Sequence, residues 1–334
     1  MQKLVLVLFF ACSISDAQIS DFNSTNFSRA DNIASLNKGL SLSNLSLLAH
    51  NLTSKLPTEV EKFRAIHSWV CDNIIGDINQ SDMVLLKRKQ LKNDSLALIK
   101  WNNVYKKIAF KKLLKDKTTM CTGYAYLIKE LCFLANIECK IIDGYVRTVD
   151  SNINHLETVN HSWNAVKLGD KWYLCDATWS SGYPDYYNYF VKSYNDGYFL
   201  ADPNLFAKSH YPLHKKWFLN DALENFKFIA GPLIYQEAFK HKIIPISPNT
   251  LEVTTPKNTV ISFTFKTLTP LDTATVSLVH SSSHKVNKLQ IHDIKIEDGL
   301  LTFKHLFNRK GKQDIHLKIN DDIVATYTFN VIKF

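Results

Sequence analysis

Three residues could together carry out nucleophilic chemistry on a carbonyl: Cys121, His161 and Asp176. Cys121 stands at the expected start of a helix over 122–136, just after Thr118 and Thr119. A helix N-terminus favours negative charge, so it lowers a thiol's pKa, and its free amides can bind an oxyanion. A thiolate there, a histidine on a later strand and an acid that orients the histidine make the Cys-His-Asp form of the nucleophilic triad. In that scheme Cys121 attacks the carbonyl carbon. His161 takes the thiol proton and later gives it to the leaving group. Asp176 fixes the imidazole tautomer.

The elements that must position these residues can be read from the spacing. "NHSWNAVKLGDKWYLCDATW", Asn160 to Trp179, reads as a hairpin about a two-residue turn at Gly169-Asp170. Leu168 then faces Lys171, Trp163 faces Asp176 and His161 faces Thr178. Side chains alternate between faces along a strand, so His161 and Asp176 share a face one diagonal step apart. A three-residue turn would break this parity. Trp163 and Trp179 flank the same face, either as walls of a substrate cleft or as core aromatics.

Other residues of the same types carry weaker signals. His155, His210 and His214 read as structural histidines, with His210 of "SHYP" holding the loop after Phe199. Cys71, Cys132, Cys139 and Cys175 read as small core residues, with room for up to two disulfides among the thiols that remain if Cys12 is removed. Their spacing contains no CxxC, so no zinc site is expected. No EF-hand-like loop or acidic cluster is present, so neither calcium nor a cofactor is expected. Trp101, Asn102 and Tyr105 are equivalent candidates for a second oxyanion donor.

Length and composition bound the rest. The chain has 334 residues, 46 % of them hydrophobic and 12 % aromatic, enough for two domains with large cores. Residues 1–17, "MQKLVLVLFFACSISDA", have a lysine, a short apolar run, and Ser15 and Ala17 at positions −3 and −1 of a cleavage site. They read as a signal peptide, with lipidation at Cys12 as the alternative. The apolar run is too short for a permanent membrane helix, and no other stretch is long enough. The expected location is therefore secreted, periplasmic or cell-surface. Net charge is +9, much of it between Lys87 and Lys117, where Trp101, Tyr105 and Phe110 interleave the basic residues. This segment is an anionic-surface candidate, but it reads better as an amphipathic helix with its aromatics turned inward; no nucleic-acid partner is expected.

Along the chain, 18–55 reads as a leader or linker. A helix then opens at Thr58 and Glu61 with a capping box, and another follows over 95–115. "ECKIIDGYV" reads as a strand before the hairpin, so helices precede antiparallel strands: α+β. From about 246, some seven alternating runs suggest an immunoglobulin-like β-sandwich over 246–334.

"CTGYAYLIKELC", the hairpin and the order Cys, His, Asp resemble the transglutaminase-like superfamily of papain-type fold. "FRAIHSWVCDNI" and "YFLADPNLFAKSHYPLHKKWFL" resemble its kyphoscoliosis peptidase branch. The resemblance covers about 58–220, within an expected domain of 56–245. It implies that Cys121, His161 and Asp176 occupy the triad positions, and that the substrate is a protein or peptide amide. Hydrolysis of peptide or other amide bonds is the first expectation. Acyl transfer to an amine, or an inactive binding or adhesion module, are the alternatives, because fold membership does not select a reaction.

Overall fold

The structure is a computed structural model that describes residues 19–156, 158–223, 227–282 and 285–333. The expected signal peptide and Cys12 lie outside the described residues. No helix among the described residues is long and apolar enough to cross a membrane.

The segment expected to be a leader is helical. Helices α1 (Ser28–Leu36) and α2 (Leu45–Thr53) pack on α3 (Glu59–Asn73), and their Ala30, Leu48 and Leu52 are fully buried. The Ser and Asn residues that suggested a linker serve as turns and caps: the Asn44 side chain accepts from the Leu47 N–H at the start of α2. The expected capping box opens α3, with Glu61 N–H bonded to Thr58 Oγ1. Arg64 of α3 ties this layer together by pairing with Asp31 at 2.7 Å and with Asp196.

After α3, strand β1 (Ile75–Gly76) pairs in parallel with β2 (Thr118–Thr119). The excursion between them contains α4 (Ile78–Gln90) and α5 (Ser95–Asp116), capped by Asp77 and Asp94. The aromatics of α5 turn inward, as the basic segment led one to expect. Trp101 and Tyr105 stack at 4.9 Å against Val84, Met120 and Cys121, and Phe110 meets Tyr126. The outward face holds lysines but also exposes Leu96, Val104 and Ile108.

Helix α6 (Cys121–Leu134) then packs through Leu127, Ile128 and Leu131 on an antiparallel sheet. That sheet consists of β3 (Cys139–Val146), β4 (His161–Leu168) and β5 (Lys171–Cys175), followed, beyond α7 (Ala177–Ser181), the hairpin β6 (Gly182–Pro184)–β7 (Phe190–Lys192) and α8 (Pro203–Phe206), by β8 (His210–Pro212). Its order is β5-β4-β3-β8.

The C-terminal strands form two further sheets. Strand β9 (Leu233–Ile234), helix α9 (Gln236–Lys240) and strand β10 (Ile243–Ser247) lead into β11 (Glu252–Pro256), β12 (Thr259–Thr267) and β13 (Val276–Ser282). Then come β14 (Lys285–Leu289), β15 (His292–Glu297), β16 (Leu300–Phe307), β17 (Gly311–Ile319) and β18 (Asp322–Ile332). One sheet runs β10-β12-β16-β15, the other β11-β18-β17-β13-β14, with β11 and β18 parallel and β9 also on β18. "KLQIHDIKI", read as one strand, is two strands in different sheets. Alternation persists through the crossing at Gln290-Ile291, so the pattern cannot reveal it.

Strand pairing begins before residue 246, at β9 and β10. The apolar contact between the two halves is continuous: Ile142, Trp163, Ala165 and Leu174 of the first sheet join one buried cluster with Phe263, Phe265 and Phe303 of the sandwich. A chain ended at His241 should therefore expose the far face of β3, β4 and β5. Expression of 19–241 alone is expected to give aggregated protein or one with a much lower melting temperature; a monomer melting like the full chain would show that the two halves fold independently.

His67 of α3 is fully buried, and burial pushes its pKa down to about 3. The unfolded chain takes up that proton near pH 6.5, so His67 contributes stability that is present above pH 6.5 and lost as pH falls toward 3. Between pH 7 and 4.5 the loss should be on the order of 2–3 kcal/mol. Urea melts of wild type and His67→Leu at the two pH values measure it. The variant's pH dependence should be shallower by about that amount.

Candidate active site

The start of α6 is shaped by its neighbours. Met120 precedes the helix in an extended conformation and provides no side-chain cap; its carbonyl takes the Gly123 N–H at 2.9 Å, so the Cys121 and Thr122 amides are the ones left at the helix start. Gln80 of α4, itself buried, takes the Met120 N–H on its Oε1 at 2.9 Å. A residue with a side chain could not follow Thr122, because a Cβ at Gly123 would lie 1.9 Å from Thr119 Oγ1. The helix end can therefore approach β2 only with glycine there.

The hairpin ladder follows the expected two-residue turn, from Leu168 opposite Lys171 to Asn164 opposite Cys175. It then stops. The expected pairings of Trp163 with Asp176 and of His161 with Thr178 do not form, because the chain turns at Asp176 into α7. Asp176 is the N-cap of that helix: its Oδ1 accepts from the Thr178 N–H at 2.8 Å and the Trp179 N–H at 3.2 Å. His161 and Asp176 nevertheless meet, with His161 Nε2 2.6 Å from Asp176 Oδ2. The carboxylate reaches the imidazole from a helix cap rather than from an extended strand.

The other ring nitrogen of His161, Nδ1, is left for Cys121, whose thiol lies close enough to feel the imidazole's charge. All three groups are buried, and Cys121 is 5 % exposed. Burial pushes the Cys121 thiol up, but the charge and hydrogen bond of His161 outweigh it, helped by Arg88 and the Ser162 backbone, and the thiol falls below its usual range. Burial disfavours the charged His161, but Asp176 and Cys121 raise it to about 10. Burial would raise Asp176; the His161 charge and the bonds from both histidines hold it well below the usual carboxylate range. The direction common to all three is a thiolate beside an imidazolium backed by a carboxylate.

The remaining cysteines differ. Cys71, Cys132, Cys139 and Cys175 are free and buried, so no disulfide joins the described cysteines. Burial pushes Cys71 up to about 12, and raises Cys132 and Cys175 well above the thiol range.

A cleft of about 430 Å³ runs past Cys121 and His161, walled by Trp179, Tyr183, Phe190 and Ile234. Of the two tryptophans considered for its wall, Trp179 lines it. Trp163 is 1 % exposed and sits two residues deeper on β4, opposite Ile142, inside the cluster shared with the sandwich. Of the oxyanion candidates, Trp101 and Tyr105 pack at Cys121, whereas Asn102 lines a neighbouring cavity with Arg88 and Thr122.

Three residues near the site carried no such signal in the sequence. Gln80 orients the approach to Cys121. Arg88 donates to the Val159 carbonyl at 3.1 Å and so tethers the loop before His161. His210, expected to hold a loop, has its Nε2 3.2 Å from Asp176 Oδ2. The side-chain atoms of His161, Asp176 and His210 lie within 4.8 Å of one another, close enough to suggest metal ligands. Two ligands on a tetrahedral zinc at 2.0–2.1 Å stand about 3.3 Å apart. The 2.6 Å between His161 and Asp176 is a hydrogen bond.

Residues 47–177 match the model of the transglutaminase-like superfamily. The chain is similar to human Kyphoscoliosis peptidase, at 30 % identity over 205 residues, which cover 60 % of this chain and 28 % of the relative. It is also similar to Drosophila melanogaster Hillarin, at 24 % identity over 187 residues, 51 % of this chain and 20 % of the relative. The chain thus spans about a quarter of the length of these curated relatives. Among solved structures, the crystal structure of a TGase aligns with 48 % of this chain and 35 % of its own, at 16 % identity and a TM-score of 0.27. Residues 47–177 thus form a domain of the transglutaminase-like superfamily, similar to that of its kyphoscoliosis peptidase relatives.

Proposed function

We propose that this chain is a thiol enzyme that attacks amide carbonyls through Cys121 and passes the acyl group to water, as a peptidase or amidase. The observation that carries the reading is the buried relay from Cys121 through His161 to Asp176, in which the thiol is lowered and the imidazole raised to about 10. A group that must give up a proton is biased to lose it, and its neighbour is biased to hold it.

The chemistry follows from those biases. The Cys121 sulfur bonds to the carbonyl carbon, and the charge that develops on the oxygen is met by the free amides at the start of α6. Gln80 holds the turn before Cys121 through its Oε1 on the Met120 N–H. Collapse breaks the C–N bond while His161 gives its proton to the leaving amine. Water then attacks the thioester, with His161 taking a water proton, and thiol and acid are released. The apolar walls at Trp179, Tyr183 and Phe190 suit an extended peptide with apolar side chains on either side of the attacked bond.

Iodoacetamide at pH 6 followed by mass spectrometry tests the first step. Cys121 should label far faster than the other four thiols, and Cys121→Ala should abolish the fast phase. Equal, slow labelling of all five would remove the catalytic reading and leave a binding module. Peptide aldehydes that trap Cys121 would then guide the choice of substrate. Release of free acid, against incorporation of an added amine, separates hydrolysis from acyl transfer.

Asp176→Asn should retain α7, because Asn caps helices as well as Asp. It removes the negative charge that holds His161 protonated. Turnover, or the labelling rate at pH 6, should fall by roughly 10²–10³. His161→Ala should fall further, because it removes both the proton carrier and the charge partner of Cys121. A folded Asp176→Asn protein with unchanged rates would make Asp176 a helix cap alone.

A further inference from the structure

Asp176 Oδ2 meets two imidazoles, and only one of them serves Cys121. His161 Nε2 is at 2.6 Å and His210 Nε2 at 3.2 Å. The sheet brings them to one side. Gly144 of β3 is opposite His161 on β4, and Val146 of β3 is opposite His210 on β8. Paired residues share a face, and so do residues two apart, so both rings project from the same face of β3. At position 144 no side chain intervenes. A Cβ there would lie 2.5 Å from the Trp163 ring and 2.3 Å from the Tyr211 carbonyl oxygen.

The hydrogen bonds fix which nitrogen of His210 bears its proton. A carboxylate only accepts, so Nε2 donates. Nδ1 then accepts from Ser209 Oγ, which is 2.8 Å away. His210 and Ser209 are both buried, and the His210 ring stacks on Phe206 at 4.0 Å. The charged groups that face His210 are Asp176 and His161; its other neighbours are the rings of Trp163, Trp179, Tyr198, Phe206 and Phe239. Burial lowers its pKa to about 4, so it is a neutral donor at neutral pH. A second cation would compete with His161 for the one carboxylate; a neutral donor does not.

We propose that His210 is a positioning residue of the Cys121 site: its Nε2–H pins the Asp176 carboxylate so that Oδ2 stays aimed at His161 while Oδ1 caps α7. This rests on the catalytic reading of Cys121, His161 and Asp176. The aromatic stacking offers a competing account, in which His210 merely fills space among the rings. The two accounts rank substitutions in opposite orders. His210→Phe keeps the ring and loses the donor. His210→Gln loses the ring and keeps an N–H₂ at the same reach.

The experiment compares both variants with wild type in two readouts: the iodoacetamide rate of Cys121 at pH 6, and the titration of the His161 imidazole by nitrogen NMR. Melting curves establish that each variant is folded. The expected result is a Cys121 rate lowered about tenfold or more in His210→Phe, as for loss of a hydrogen bond to a charged group. The His161 titration should fall toward its ordinary value in the same variant. His210→Gln should stay within a few-fold of wild type in rate, with His161 little moved. His210→Phe equal to or better than His210→Gln would overturn the proposal. So would a rise of the His161 titration in His210→Phe, which would make the histidine a moderator of charge rather than a positioner. If wild-type Cys121 proves unreactive, the catalytic reading fails by itself, and the His161 titration still tests the positioning. If a ring variant does not fold, Ser209→Ala frees the His210 tautomer without disturbing the stack. It should lower the rate several-fold, and no change there would count against the proposal.

Discussion

The structure depends on one fully buried carboxylate. Asp176 accepts four hydrogen bonds: two from imidazoles at Oδ2 and two from backbone amides at Oδ1. A buried charge without partners would cost many kcal/mol, so each of these donors stabilises the folded chain. Together they join the hairpin, helix α7, the edge strand β8 and, through His161, the start of α6. Segments spread from α6 to β8 must close on this group at once. The site and the fold of the first domain are therefore satisfied together.

Burial and charge oppose each other throughout the site, and their balance gives each thiol its character. All five described cysteines are buried, and burial alone raises a thiol's pKa. Cys71, Cys132 and Cys175 follow that rule. Cys121 departs from it because an imidazolium, itself held by Asp176, lies within hydrogen-bonding reach. Arg88 and the Ser162 backbone add to the effect, but the histidine is the larger of the lowering causes. The lowered pKa of Cys121 is thus a property of the relay rather than of exposure.

The C-terminal sheets bear on the site indirectly. Trp163, on the same strand as His161, is buried against the sandwich together with Leu174 and Ile142. The face of the sheet opposite α6 meets Phe206 of α8, at 5.9 Å from Trp163, and Phe239 of α9, and the same cluster runs on into the sandwich. Elsewhere Arg64 joins α1 and α3 to the Asp196 turn. The sheet that carries His161 is thus packed on both faces, on α6 through Val166 and Leu168 and on the shared cluster through Trp163 and Ala165.

Much of this was legible in local patterns. Helix spacing placed Cys121 at an N-terminus, the Gly169-Asp170 turn fixed the hairpin register as far as Cys175, and the order of Cys, His and Asp named the relay. These features depend on short-range periodicity and turn chemistry, which a single sequence records. Three features were decided only by tertiary structure. Asp176 leaves the ladder because its carboxylate is worth more as a helix cap and imidazole partner than as a strand residue. His210, 34 residues further on, reaches the same oxygen because β8 happens to flank β3, and nothing in local spacing encodes which strand takes an edge. The segment before residue 56 looked like a linker because Ser and Asn suit both disordered chain and the caps of short helices; only packing of Ala30, Leu48 and Leu52 against α3 and the core distinguishes the two. Sequence periodicity determines which residues share a face, and it is long-range packing that determines which faces meet.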